Sequence, residues 1–466
     1  MAAVRARWLL PAATLIVLVG CTASGPATSG GGTPGTGRPS TEPTARTTPT
    51  SSPVAWPSSS PLPSPAATAR AGDNWLLVGR QGEKDLRVIL DRTLEEQIGV
   101  PQGVPGEQWG YVFAATPGDT TTFVQMIVIQ PGYGGNGQTI DGRWVLPTIG
   151  ADPVPVGLSA DRQTLVLVEA GVPRGAAGSD RTKSRFAILD ANLFSRHAPR
   201  IVVLPGAFDF DALSPDGSLL YVAEQIPGPL QGRYQVRAVD TATGHLRPEV
   251  IVDKRNLDEQ MAGYPIDQER RADGMVMTLY RGAQHPFVHA LSSVDAWAVC
   301  IDLPTRGFDD EAASTDWGIA DLGAGKGDVA VNATLGLAVR IHPTELTIVR
   351  SVDFKPSAAA AFRLAKFGHA DLGPAGRRVV ASPDGASVYA AGEGGVVRLG
   401  GSDLAVERRY LIGYAIDAIA VTPDGTKLYA LTRTGGRIAS LDAATGELDG
   451  WVGDGGFDRL LGAMPW

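Results

Sequence analysis

Cysteine is nearly absent: the 466 residues contain two, Cys21 and Cys300. A pair so few and so far apart excludes a disulfide framework, so any folded domain must be held by core burial. Positive charge is also short. Lys and Arg number 41 against 49 Asp and Glu, a formal net charge of -8. No basic excess exists to neutralise phosphates, which excludes nucleic acid as a partner. Long apolar runs are missing as well, since the most apolar stretch, Trp8 to Val19, falls short of the ~20 residues that span a bilayer. Charged residues make up only 19%, whereas Gly is 58 and Pro 34. This composition fits many short strands joined by turns better than long exposed helices.

The N-terminus reads as an export signal. Arg5 and Arg7 precede the apolar run, which ends at Leu18-Val19-Gly20-Cys21. These four residues resemble a bacterial lipobox, and the resemblance implies that Cys21 is lipidated and becomes the first residue after cleavage. Residues 1–21 are therefore read as a lipoprotein signal peptide, and the expected location is extracytoplasmic, anchored by lipid to the bacterial cell membrane. Arg5 and Arg7 are separated by Ala6, so no twin-arginine pair is present. Residues 22–71 are almost wholly Ser, Thr, Pro, Gly and Ala, a composition that cannot bury enough apolar surface to fold, and they read as a disordered tether. Residues 72–466 are then one folded domain. Cys300, with Cys21 assigned to lipid, reads as a small buried hydrophobe.

Within that domain one unit recurs. AVTPDGTKLYALTRTGGRIASLDAATGEL, from Ala420 to Leu448, alternates short apolar strands with turn residues. Copies stand at Ala212 to Leu246 and Val380 to Leu399, and looser ones begin near Trp109, Gly157, Asp273 and Trp317. In Ser-Pro-Asp-Gly, Pro presets the first central dihedral, Asp tolerates the second, and Gly takes the positive φ after it. The Asp-Thr-Ala-Thr-Gly segment at 240 to 244 and Asp-Ala-Ala-Thr-Gly at 442 to 446 close a later hairpin in the same way, so these aspartates have turn roles.

SPDG followed by LYVA and VDTATG resembles the bacterial YVTN-type propeller repeat, over most of Gly157 to Trp451. The resemblance implies an all-β fold, a β-propeller of four-stranded antiparallel blades. Counting from Trp109 gives seven blades; six or eight stay open, because the strands Trp75 to Gly79 and Leu86 to Leu90 could close the ring or belong to an eighth. In such blades the first-to-second and third-to-fourth turns share one face. The segments Gly171 to Ser184, Gln225 to Arg233 and Arg281 to Val294 read as second-to-third loops. Lys254 to Arg271, Pro304 to Asp316 and Asp353 to Arg377 read as blade connections. All six fall on the other face, where ligand or partner binding is expected.

Chemical motifs are few. Gly132 to Gly137 fits G-x-G-x-x-G, but the residues after it are strand-like rather than helical, so it reads as a hairpin loop and no cofactor is expected. Gly323 to Gly327 (GAGKG) lacks the spacing of a phosphate loop. His285 and His289 have the spacing of half a zinc site with nothing to complete it, and read as solvated loop residues; no metal is expected. Asp309, Asp310 and Glu311 read as a solvated acidic loop. No G-x-S-x-G or H-E-x-x-H occurs, and catalytic residues are unknown. The expected function is a binding or scaffold module for a protein or small-molecule ligand on the long-loop face, monomeric and tethered to the membrane. The alternative is a YVTN-like propeller enzyme, such as a lactonase or related carbohydrate-acting hydrolase, with its site at the channel mouth.

Overall fold

The computed structural model describes residues 73–465, apart from 84, 95, 102, 106–110, 129–134, 150–154, 194–196, 228–231, 257–260, 283–284, 306–315, 324 and 357–374. The signal, Cys21, the tether, residues 132–134 of the Gly132 run and the acidic triplet at 309–311 lie outside them. Among the described residues no helix is long and apolar enough to cross a membrane.

The described residues form eight four-stranded antiparallel sheets. They form the blades of a β-propeller, so the count of seven is corrected to eight. The eighth blade takes its innermost strand, Phe457–Pro465, from the C-terminal end and its other three, Asn74–Arg80, Asp85–Leu90 and Glu96–Pro101, from the N-terminal end. A blade divided between the two ends of a domain leaves no contiguous repeat in the sequence. Blades one to seven then run in order from Gly103 to Val452.

Eight apolar clusters hold the ring, one at each junction between neighbouring blades. Strand Met275–Gly282 of blade four shows how. Met275, Met277 and Leu279 pack toward blade five, while Val276 and Tyr280 pack toward blade three. A strand covered on both faces needs no polar alternation, which is why these segments read as continuous apolar runs.

The turns have the expected chemistry. Ser214 Oγ donates to Asp216 Oδ1 at 2.7 Å, Ser218 N–H donates to the same oxygen at 3.0 Å, and Gly217 takes φ of 67°. These donors hold the Asp216 carboxyl below its ordinary range. The second turn has an N–H to C=O bond across four residues and a left-handed residue, Gly244 or Gly446. Blades four, five, six and eight build the same turn with Ala296, Leu346, Leu404 and Leu94, at φ between 51° and 58°. A left-handed non-glycine residue costs roughly 1–2 kcal/mol. Burying a leucine side chain returns about 1.5–3 kcal/mol, and Leu346 and Leu404 are buried in the junction clusters.

The tyrosine of the repeat has a second duty. Tyr221 Oη donates to the Ser293 carbonyl at 3.0 Å, Tyr389 Oη to the Ala443 carbonyl at 3.0 Å, and Tyr429 Oη to Asp91 Oδ2 at 2.5 Å. Each acceptor sits in the third-to-fourth turn of the following blade, so these tyrosines latch one blade to the next.

Two loop assignments are corrected. Pro286–Ser292, inside the segment 281–294, is the fully buried third strand of blade four, and Gly263–Arg270, inside 254–271, is that blade's innermost strand. The segments 171–182, 226–233, 252–262, 303–316 and 354–378 do join strands on one face. The opposite face is less plain than expected, since strands Thr121–Val128 and Asn136–Asp141, and strands Lys183–Asp190 and Arg200–Pro205, are joined there by more than tight turns. Strand Asn74–Arg80 starts and strand Phe457–Pro465 finishes on that opposite face, the one being a second strand and the other an innermost strand.

Candidate functional site

Innermost strands line a propeller's channel, and two of them are bulged at an aspartate. In Phe208–Leu213, Phe210 pairs with Val222 and Ala212 with Tyr221, leaving Asp211 as the extra residue. In Ile416–Val421, Asp417 is left over between Ile416 and Ala418. Bulges redirect side chains and recur beside functional sites.

The two aspartates meet different surroundings. Asp417 receives Arg433 Nε at 2.8 Å, and Arg433 also pairs with Glu393. Arg377 pairs with Glu269, and Arg378 pairs with Asp316, which also accepts the Thr334 hydroxyl at 2.7 Å. Asp267 accepts the Ile319 and Gln268 amides at 2.9 and 2.8 Å. These contacts tie blades four to seven around the channel. The belt leaves its acids matched to donors; burial still raises the Glu269 and Asp417 carboxyls against the pull of their arginines. A cavity of about 650 Å³ adjoins Asp417 and Arg433 on the loop face, and another of about 490 Å³, walled by Arg162, Arg270 and Arg377, opens toward the tight turns.

Asp211 has no such match. It is 3% exposed, its Oδ2 accepts no hydrogen bond, and burial pushes its carboxyl up to about 7. It lines a cavity of about 440 Å³ on the loop face, assembled from blades two, three and four. One wall is aromatic. Tyr234 and Tyr280 stack with ring centres 4.9 Å apart, and Phe287 extends the stack behind Tyr280 at 5.1 Å. Tyr234 Oη is buried without a hydrogen-bonding partner, and burial raises both tyrosines well above their ordinary range. Phe210 and the half-exposed Tyr264 complete the aromatic surface, with Arg174 and Arg281 also bordering the cavity.

A hydrogen-bonded strut fixes the rim. Asp209 accepts the Gly175 amide at 2.8 Å, Arg181 Nη2 at 2.9 Å and Gln225 Nε2 at 3.1 Å. It thereby ties the short 3-10 turn Gly175–Gly178 to blade three. With Asp209 so engaged, Asp211 is the carboxyl in the cavity with an oxygen left over.

His289 lies behind the aromatic wall, edge-on to Tyr234 and Tyr280 at 6.3 Å. It is wholly buried rather than solvated, and neither ring nitrogen has a partner. Burial pushes its pKa down to about 4, so the ring is neutral at neutral pH. His285 stands apart, 3.4 Å from Asp302. Among the described residues no group of three or more His, Cys, Asp and Glu could hold a metal ion. Cys300 is half-buried rather than fully buried, packed at the junction of blades three and four. The Gly323 to Gly327 segment is a turn, with Gly323, Gly325 and Gly327 at positive φ. Sequence reasoning did not single out Asp211, Tyr234, Tyr280 or Arg174. The one signal along the chain was the charge alternation Phe208-Asp209-Phe210-Asp211, which sets acids into a buried strand.

No family model and no curated protein sequence matches the chain. Solved structures do. Apo AztD from Citrobacter koseri is 13% identical with a TM-score of 0.50, covering 84% of this chain and 97% of that one. The dihydro-heme d1 dehydrogenase NirN, in complex with DHE, is 13% identical with a TM-score of 0.50, covering 86% and 78%. At such identities the likeness is one of fold.

Proposed function

We propose that the chain is a ligand-binding module, of the YVTN-like kind its SPDG units resemble, that takes a small molecule into the aromatic cavity on its loop face. The observation that carries this reading is the pairing of unsatisfied buried groups, Asp211 Oδ2 and Tyr234 Oη, with an aromatic wall at a cavity of ligand size. Buried polar atoms without partners cost about 1–3 kcal/mol each, and a ligand that supplies the missing partners recovers that cost. The enzyme alternative puts its chemistry at the channel mouth, where Glu269, Asp316, Glu393 and Asp417 are each paired to an arginine and serve the ring.

A thermal-shift screen of the full chain against small polar metabolites tests the assignment. A ligand at about 100 times its Kd should stabilise the chain by ~2.7 kcal/mol. Ala177 is exposed at the rim of the cavity, so Ala177→Trp blocks entry without touching a core. Hits should lose their shift in this variant; hits that keep it would place the ligand elsewhere.

The module is anchored at the membrane by lipid on Cys21. The Leu18 to Cys21 motif supports this. Cys21→Ser should move the protein from the membrane fraction to the soluble fraction. Unchanged membrane retention would rule out the anchor.

A further inference from the structure

The cavity is polarised. Asp211 contributes a buried carboxyl with an unsatisfied oxygen, and Tyr234 beside it contributes an unsatisfied hydroxyl. Arg174 lines the same cavity from the 171–182 loop, attracted by Asp209 but hydrogen-bonded to nothing among the described residues. The aromatic surface of Phe210, Tyr234, Tyr264 and Tyr280 lines the same cavity. Each part selects a chemical feature. A lone carboxylate among aromatic faces suits a protonated amine, which gains both a charged hydrogen bond and attraction to the rings. A guanidinium without a hydrogen-bonded acid suits a carboxylate, bound through its paired donors. The ring surface suits an apolar or aromatic body.

We infer that the ligand is an amino-acid-like zwitterion with an apolar or aromatic side chain, its amine on Asp211 and Tyr234 and its carboxylate on Arg174. The inference rests on the proposal that this cavity binds a small molecule. A free amino acid or a very short peptide matches a space of about 440 Å³; a folded partner does not enter it.

Isothermal titration of the full chain with L-phenylalanine, phenethylamine and 3-phenylpropanoate separates the two charges. Loss of a hydrogen bond to a charged group costs roughly 1.5–3 kcal/mol, about tenfold or more in affinity. L-phenylalanine should therefore bind at least about tenfold more tightly than either analogue. Asp211→Asn should weaken L-phenylalanine by a similar factor and leave 3-phenylpropanoate unchanged, and Arg174→Met should do the reverse with respect to phenethylamine. Asp211→Asn removes an unmatched buried carboxyl, so its near-UV circular dichroism and melting temperature should equal or exceed those of the wild type. Absence of L-phenylalanine binding at millimolar concentration, or equal affinity for a single-charge analogue, overturns the zwitterion assignment. If a screened ligand of another charge type is lost in Ala177→Trp, the cavity reading survives that failure. L-phenylalanine binding that persists in Ala177→Trp overturns both.

Discussion

Arg433→Met should lower the stability of the folded domain by ~3–5 kcal/mol, the usual cost of removing one partner from a buried ion pair. Arg433 is 13% exposed and stands between Glu393, 4% exposed, and Asp417, 10% exposed. Methionine fills similar space but removes the cation that bridges the two buried carboxylates, leaving Arg378 as the charge that attracts them. The loss comes from those stranded charges rather than from the arginine's own contacts. Two consequences separate this from a packing defect. Neutralising both acids in the triple variant Arg433→Met, Glu393→Gln, Asp417→Asn should restore most of the stability, because replacing a whole buried network is far cheaper than breaking it. Lowering the pH from 7 to 5 should also stabilise the single variant relative to wild type, since its stranded carboxyls take up protons. Urea denaturation followed by tryptophan fluorescence reads both effects. A single variant within about 1 kcal/mol of wild type, by the ordinary resolution of such curves, would mean that the belt does not hold the ring.

The second large effect is a pH dependence centred on Asp328. This side chain is wholly buried at the start of the second strand of blade five, and neither of its oxygens accepts a hydrogen bond. Arg271 Nη1 approaches to 3.6 Å, beyond hydrogen-bonding range. Burial pushes the carboxyl up to about 8, against the attraction of Arg271, while an unfolded aspartate titrates near ~3.9. Between those values the folded chain holds a proton that the unfolded chain has released. Stability therefore falls as pH rises through that window, by at most ~1.4 kcal/mol per pH unit. It is greatest below the unfolded pKa and is lost once the folded pKa is passed. Asp328→Asn removes the titration, so its stability should gain steadily on the wild type from pH 5 to pH 8. Parallel profiles for the two proteins over that range would contradict the assignment.

What could be read from the residues divides along physical lines. The SPDG and ATG turns were legible because their dihedrals demand particular residues, and the blades built on them fell into place. Equivalent turns at Leu94, Ala296, Leu346 and Leu404 were not, because there side-chain packing overrides backbone preference. Strand Pro286–Ser292 was read as part of a loop with His289 in solvent, whereas two neighbouring blades enclose it. Strand Gly263–Arg270 was read as loop for the opposite reason: its Asp267, Glu269 and Arg270 are polar because the channel is. The cavity was invisible along the chain, since Arg174, Asp211, Tyr234 and Tyr280 come from three blades and meet only when the ring exists.

The divided eighth blade also orders events in the life of the chain. Strand Asn74–Arg80 emerges from synthesis early, yet its partner Phe457–Pro465 comes last. Until then an apolar strand edge stands open, the kind of surface that seeds pairing between chains. Contacts between the two ends carry the largest loop-closure cost in the molecule, and such non-local pairing is slow. Tyr429, hydrogen-bonded to Asn74 and Asp91, can engage only after that closure. A chain cut short by this one last strand thus keeps seven complete blades' worth of sequence but leaves its first three strands without an inner neighbour.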